Sequence, residues 1–364
     1  MKRIYNFSAG PAILPVPVLE EAARGVLEFS GSGMSILEIS HRSKEYEKVH
    51  FDAQERLLSI MGLSSEDYAA LFLQGGASMQ FAMLPMNYLG EGDVADYVNA
   101  GEWGTKAIKE AKKVGKGTAY EAASSADQNF SYIPKHFTIH PDSRYLHITT
   151  NNTIEGTEWF DTPKTTVPLV SDMSSDFLAV QRDFGSFSLI YAGAQKNVGP
   201  SGVTIVIARK SFLAEARADV PTILSYKTYW EKDSLYNTPP CFAIYVVGLV
   251  AKWIDEQGGL AAVDQRNREK AGMLYRTLDE LSNFYLPTVT VKEDRSLMNI
   301  TFRLQAQYVE LEKEFLAGAQ QRNLDGLKGH RSVGGFRASI YNAFPIDGVR
   351  ALADYLQEFA QRKS

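Results

Sequence analysis

Lys196 stands in a connection between two apolar runs, residues 189–191 and 203–208, and that connection carries Gly193, Gly199, Pro200 and Gly202. The runs suit buried strands, since β-branched and aromatic side chains dominate them. Glycine and proline between them allow sharp turns and close backbone approach. A lysine confined beside apolar strands loses hydration, so its pKa falls from about 10.4 towards the range where the neutral amine is a nucleophile. That is the chemistry of a lysine that condenses with an aldehyde. A single loop lysine is more often simply solvated, so the remaining residues must decide.

Four other stretches put polar or aromatic residues just past an expected strand. Residues 68–73 read as a strand, followed by Gln74-Gly75-Gly76-Ala77-Ser78 and a helix running through Met83. Backbone N–H groups at such a helix start suit a phosphate, although Gly-Gly between strand and helix is also an ordinary turn. Residues 96–99 precede Gly101-Glu102-Trp103-Gly104 and a helix over 105–114, so Trp103 is either core or a flat surface for an aromatic ligand. Residues 145–149 run into Thr150-Asn151-Asn152-Thr153, and residues 167–170 into Ser171-Asp172. Open parallel sheets bind ligands at the carboxyl ends of their strands. Ser78, Trp103, Thr153, Asp172 and Lys196 all follow strands in that way. Asp172 and Lys196 form the pair that pyridoxal phosphate needs, an amine for the aldehyde and a carboxylate for the pyridine nitrogen.

The elements that must position these groups alternate strand and helix up to about residue 258. The spacing predicts helices over residues 18–30, over a stretch after His41-Arg42 to about 61, near 211–218, and over 242–257. Residues 115–134 carry little signal, and residues 222–241 read as irregular around the rigid turn Asn237-Thr238-Pro239-Pro240. Beyond Gly258-Gly259 the sequence predicts a smaller α+β unit. It has helices over 260–281, 309–322 and 348–362, strands over 296–304 and 337–341, and the basic turn Gly329-His330-Arg331. The expected organisation is an N-terminal arm (1–17) packing with the small domain, a large domain (18–258) and a small C-terminal domain (259–364).

Composition agrees with an ordinary globular enzyme. The chain has 364 residues, 45% hydrophobic and 22% charged, and a formal charge of -5. No basic tract favours nucleic acid, and no apolar run reaches the roughly 20 residues of a membrane span. No secretory leader is evident at the start, and Cys241 is the single cysteine, so a cytoplasmic location without a disulfide framework is expected. His50, His136, His140 and His147 receive no role, and no metal site is expected.

Eight stretches carry a resemblance over nearly the whole chain: NFSAGPAILP, ISHRSKEYE, LFLQGGASMQF, SDMSSD, IYAGAQKNVGPSGVTIVI, YNTPP, GLKGHRSVGG and RASIYNAFPIDGV. In this order they resemble the phosphoserine aminotransferases, class V aminotransferases of fold type I. The resemblance implies an α/β fold with a large, mostly parallel sheet of the seven-stranded type, and pyridoxal 5′-phosphate as cofactor. It implies that Lys196 forms the internal aldimine and carries the proton between Cα and C4′. Asp172 matches the partner of the pyridine nitrogen, Trp103 the stacking residue, and Thr153 the hydroxyl near the phenolic oxygen. Ala77, Ser78 and Gln195 match phosphate contacts from one subunit, and Asn237 and Thr238 those from the other, which implies a homodimer. Arg337 resembles the arginine for the α-carboxylate. His41, Arg42, His330 and Arg331 resemble the basic group for the distal phosphate or carboxylate. Guanidinium groups bind both anions in two-pronged fashion. Two positions depart from some relatives, Ser78 where they carry arginine and Ala9 where they carry serine, so the phosphate site lacks one positive charge.

The resemblance implies two-step amino transfer between glutamate and 3-phosphohydroxypyruvate in serine synthesis, with phosphorylated hydroxythreonine as a second substrate. Two other activities of fold type I fit less well. A desulfurase needs a cysteine on a mobile loop, whereas Cys241 follows Pro-Pro at a helix start. An alanine–glyoxylate enzyme would leave the distal basic group unexplained. A cofactor-binding regulator without turnover would need an added DNA-binding segment.

Overall fold

A computed structural model describes residues 3–363; residues 1, 2 and 364 of the expected arm and C-terminal unit lie outside them. In chain order come β1 (Tyr5–Asn6), α1 (Val16–Leu27), α2 (Lys44–Ile60), β2 (Tyr68–Gln74), α3 (Ala77–Tyr88), β3 (Val94–Asn99), α4 (Glu102–Val114) and β4 (Thr118–Ser124). Then follow β5 (Ser143–Thr149), β6 (Leu169–Asp172), β7 (Leu189–Gly193), β8 (Val203–Arg209), α5 (Lys210–Ala214), α6 (Tyr226–Glu231), α7 (Cys241–Glu256) and α8 (Gly259–Glu280). The C-terminal part adds β9 (Tyr285–Pro287), β10 (Asn299–Leu304), α9 (Glu312–Gln321), β11 (Leu324–Asp325), β12 (Phe336–Ser339) and α10 (Ile346–Lys363).

Seven strands form one sheet in the order β2-β8-β7-β6-β5-β3-β4. β8 is antiparallel to both neighbours, and the remaining pairings are parallel. Six strands therefore run one way, and the ends of β2, β3, β5, β6 and β7 open on a common edge. Helices cover both faces, which is why interior strands such as β3 and β7 are buried along their whole length. Alternate residues separate the two faces. Phe72, Ile205 and Ile207 pack with Leu57, Val247 and Val250. Leu71 and Val206 pack with Phe81, Ile108 and Phe212 on the other side.

A third core collects Phe302, Phe315, Phe336, Tyr355 and Phe359 around the antiparallel sheet β12-β10-β9. The first residues of the chain join it. β1 pairs in parallel with β11, and the buried Phe7 meets Phe344 at 4.4 Å between ring centroids. The arm is thus tied by backbone pairing and by apolar burial to the C-terminal part.

Between the sheet and this C-terminal core runs a buried polar seam. Asn151 Nδ2 donates to Ser175 Oγ and to Asn299 Oδ1 at 2.8 and 2.7 Å, and Ser296 Oγ donates to Asn151 Oδ1 at 2.6 Å. Asn197 Nδ2 donates to the Ser175 carbonyl at 2.7 Å, while its Oδ1 accepts the Asn342 amide at 3.0 Å. Such a network is stabilising because its members satisfy one another away from water.

Four expectations need correction. Residues 118–124 form the edge strand β4, whose exposed face and small Ala, Ser and Thr residues give no apolar alternation. Residues 226–231 form a short helix, started by Ser225 Oγ accepting the Thr228 amide, inside a stretch whose turn residues suggest none. The helix expected near 211–218 ends at Ala214, and the residues beyond turn towards Asn87, whose carbonyl accepts the Arg217 amide. Trp103 lies inside the first turn of α4 rather than ahead of it.

Under the sheet edge lies a buried ion cluster. Arg182 contacts Asp176 at 2.8 Å and Glu158 at 3.8 Å, with all three side chains at most 2% exposed. Burial raises both carboxyl groups, and the guanidinium opposes that rise. Asp176 also accepts Thr150 Oγ1 at 2.7 Å, and Thr150 Oγ1 reaches the Asp172 carbonyl at 3.1 Å. Arg182→Ala leaves two buried acids without their cation, so its unfolding free energy should fall by about 3–5 kcal/mol in a denaturant titration. A loss below about 1 kcal/mol would show that the cluster is not a structural clamp.

Candidate active site

Parallel pairing dictates the centre of the site. β6 and β7 lie side by side with Asp172 opposite Tyr191, so Asp172, at the end of β6, neighbours the turn that carries Lys196. β5 lies on the other side of β6, with Thr149 opposite Asp172, which brings Thr153 beside the pair. β3 flanks β5, and its following helix carries Trp103. Trp103 Nε1 donates to Thr153 Oγ1 at 2.8 Å. Lys196 Nζ lies 5.4 Å from the Trp103 ring centroid.

Electrostatics brings this amine towards its neutral form, as burial also does for Lys270 away from the site. Burial pulls Lys196 down to about 8, Arg337 adds to that fall, and the Asp172 carboxylate opposes it. Burial raises Asp172, while Lys196 and Ser174 oppose the rise. Ser174 gives Asp172 Oδ1 two hydrogen bonds, from its amide at 2.9 Å and its hydroxyl at 2.6 Å. One carboxylate oxygen is thereby fixed, and Oδ2 remains the acceptor for a ligand. Asn197, next in sequence to Lys196, is held in the polar seam, which fixes the backbone that bears the amine.

The C-terminal part supplies Arg337 on β12. Its guanidinium donates to the Thr153 carbonyl at 2.9 Å. Its Nε is buried with no hydrogen-bond partner, a donor left for an anion. Burial lowers the Arg337 pKa. His330 lies in the same field, lowered by its burial and by the charges of Arg337, Lys106 and Arg331. Its Nδ1 is 2.7 Å from Ser332 Oγ.

The turn after β2 lies beside this group. Gly75 has φ 93°, its amide donates to the Gly202 carbonyl at 3.0 Å, and α3 begins at Ala77 without a side-chain cap. The Ala77 and Ser78 amides therefore belong to an uncapped helix start, the geometry that receives phosphate. Gln195 packs its side chain against Gly193. Its carbonyl accepts the Ala12 amide at 2.9 Å, and Gly10 of the arm lies against Lys196. The arm therefore forms one wall.

Four further expected residues lie ahead of two other helices. His41 and Arg42 precede α2, and Asn237 and Thr238 precede α7. Thr238 is joined to Gln74, whose Nε2 donates to its carbonyl at 2.8 Å. Ser174, Asn197, Tyr341 and the arm's Gly10 form part of the surroundings without having been singled out from sequence. Ser174 and Asn197 could have been found as neighbours of Asp172 and Lys196, but nothing local marks Tyr341, whose hydroxyl donates to the Ala9 carbonyl at 2.7 Å. Cys241 opens α7, burial raises its thiol, and Sγ lies 3.4 Å from the Pro239 carbonyl. These are poor conditions for a thiolate nucleophile.

An amine, a buried carboxylate, an indole ring, an open helix start and an arginine converge on one sheet edge, the set that an aldehyde-bearing aromatic phosphate would occupy. The model of the class V aminotransferases matches residues 4–352, and the chain belongs to that family. Its fold is that of the fold type I enzymes, and its cofactor is pyridoxal 5′-phosphate, which the residues gathered here fit. Within the family it groups with the phosphoserine aminotransferases. It is 55% identical to the phosphoserine aminotransferase of Desulfosudis oleivorans over 360 residues, 98% of each chain. The solved phosphoserine aminotransferase of Bacillus circulans subsp. alkalophilus superposes with a TM-score of 0.96 at 49% identity, covering 100% of both chains. A phosphoserine aminotransferase from Trichomonas vaginalis, solved with PLP bound, reaches 0.92 at 37% identity, covering 98% of this chain and 100% of that one.

Labelling of the ligand-free protein with an amine reagent, followed by peptide mass analysis, should give Lys196 a midpoint near pH 8. Surface lysines should label with midpoints nearer about 10.4. Asp172→Asn removes the negative charge that stabilises the ammonium form, so it should move the Lys196 midpoint lower. An upward move would contradict the pairing.

Proposed function

We propose that this aminotransferase moves an amino group reversibly between glutamate and 3-phosphohydroxypyruvate, yielding O-phosphoserine and 2-oxoglutarate in serine synthesis. Phosphorylated hydroxythreonine would be a second substrate of the same site. The observation that carries the reading is the Lys196 amine, brought down to about 8 beside buried Asp172 and over Trp103. The cofactor, when bound, supplies an aldehyde that takes up the amino group and a ring that accepts electrons from Cα.

The protein's part is binding, orientation and proton transfer. Lys196 Nζ, neutral in an appreciable fraction near pH 8, takes the Cα proton and returns it. Asp172 holds the proton on the ring nitrogen, and its Oδ1 bonds to Ser174 keep the carboxylate in register. Trp103 supports the ring face. The Thr153 oxygen already accepts the indole N–H, which leaves its own proton for the phenolic oxygen. Ala77, Ser78 and Gln195 hold the phosphate, with backbone dipoles in place of the arginine that some relatives carry at position 78. Arg337, with its unpartnered Nε, binds the α-carboxylate.

His41, Arg42, His330 and Arg331 would receive the distal phosphate or carboxylate, and Asn237 and Thr238 would reach the phosphate of a neighbouring subunit. Both pairs of N-terminal and middle residues stand near exposed apolar side chains in the sequence: Leu27, Met34 and Leu37 before His41, and Tyr236 before Asn237. Exposed apolar groups beside charged ones suit a subunit contact, which supports a homodimer. Glutamate leaving its amino group before the keto acid enters gives ping-pong kinetics, since both acids use one set of cations. We read residues 18–258 as the cofactor-binding domain and 259–364 as the small domain, with the arm packing on the latter. A cytoplasmic setting suits the reaction.

Purified protein with pyridoxal phosphate should transaminate O-phosphoserine and glutamate but not alanine. Lys196→Ala should lower turnover by at least about a thousandfold, as removal of a reacting group does. Arg331→Ala should raise the KM for O-phosphoserine about tenfold or more, the effect of one lost charge-assisted contact. Preference for alanine would keep the class and cofactor but overturn the substrate.

A further inference from the structure

Glu155 lies outside the groups so far given a role, yet it is 3% exposed and borders the site. Its Oε1 accepts the Glu102 amide at 2.9 Å. Glu102 is the first residue of α4, whose N-cap is Gly101 and whose start has no side-chain cap of its own. The carboxyl of Glu155, fifty-three positions away, takes that place. Trp103 is the next residue along the helix, and its ring is tied by Nε1 to Thr153, two residues before Glu155. One short segment therefore grips α4 twice, through the backbone of its first turn and through the ring.

The same segment is anchored on its far side. Thr301 Oγ1 donates to the Glu155 carbonyl at 2.7 Å, and Thr301 pairs with Arg337 across β10 and β12. Arg337 in turn donates to the Thr153 carbonyl. Gly101 leaves room for the grip, because a Cβ there would come within 2.7 Å of Glu155 Oε2 and equally of Asn152 Oδ1. Both oxygens are buried without a partner. Burial, the largest influence, raises Glu155 to about 7, with Glu102 adding to the rise.

We infer that Glu155 is a positioning residue: its carboxyl caps α4 and so sets the Trp103 ring relative to the Arg337 strand. This rests on the reading of Trp103 as the support for the cofactor ring. The capping role needs an acceptor at Oε1 and a polar group at Oε2, not a negative charge.

The test compares Glu155→Ala, Glu155→Gln and Trp103→Phe in the full chain labelled with 5-fluorotryptophan, whose Trp103 resonance the last variant assigns. In the ligand-free protein Glu155→Ala should displace that resonance and leave the other three in place. Its dissociation constant for pyridoxal phosphate should rise about tenfold, the loss expected for one helix cap. Glu155→Gln, which keeps the acceptor, should retain the resonance and stay within about threefold of the original affinity. A wild-type resonance and affinity in Glu155→Ala would overturn the proposal. So would Glu155→Gln behaving like Glu155→Ala, because charge rather than capping would then matter. If Glu155→Ala does not fold, Gly101→Ala serves, since its Cβ presses on Oε2; an unmoved Trp103 resonance there overturns the role equally. A displaced resonance in Glu155→Ala together with undiminished cofactor affinity in Trp103→Phe would support the positioning while removing Trp103 as the ring support.

Discussion

The rest of the structure depends on keeping a lysine side chain largely out of water beside a carboxylate that is itself buried. Either charge alone would be expensive at that depth, and each would shift towards its neutral form. Held together at the ends of β6 and β7, each limits the other's shift, and the amine remains close enough to neutrality to react. That balance requires the two strands to be adjacent and parallel, because a reversed strand would carry its following turn to the opposite edge. The antiparallel β8 is tolerated for the same reason: it returns from the lysine turn and contributes no residue after its own end.

Burial of the amine also needs a wall on the side away from the sheet. The arm and β12 provide it, and the polar seam holds them there. Asn197 fixes the lysine backbone to Ser175 on one side and to Asn342 on the other. Asn299 links the sheet-side Asn151 to Ser339 at the end of β12, two positions after Arg337. A seam of asparagine and serine rather than leucine fixes direction as well as distance, since each amide is satisfied in one arrangement. The position of Arg337 relative to Lys196 is therefore set by the bonds of their neighbours together with Arg337's own bond to the Thr153 carbonyl.

In the proposed reaction, anion recognition is layered on this frame. Backbone amides at the start of α3 offer partial positive charge without a counter-ion, while Arg337 and His330 bring charge or its precursor from the C-terminal part. Glu155 sits between these layers, meeting the helix dipole of α4 with one oxygen and lying in the field of Arg337. In the proposed reaction two different acids use the same cations in turn, and guanidinium geometry suits carboxylate and phosphate alike.

The sequence by itself determined the alternation of strands and helices, the pair Lys196 and Asp172, and the eight motifs that name the family. These are local properties: apolar runs, turn residues and contiguous strings survive in one dimension. The edge strand β4 was not legible because its exposed face asks for no apolar alternation, and α6 because its turn residues mask a short helix. Only the tertiary structure decided that Thr153 serves Trp103, that Arg337 reaches Thr153 across 184 positions, and that Glu155 meets the start of a helix that begins fifty-three positions before it. Those contacts join residues far apart in the chain, and the last two are made to backbone groups, which every residue type has, so nothing in the one-dimensional pattern selects the partner.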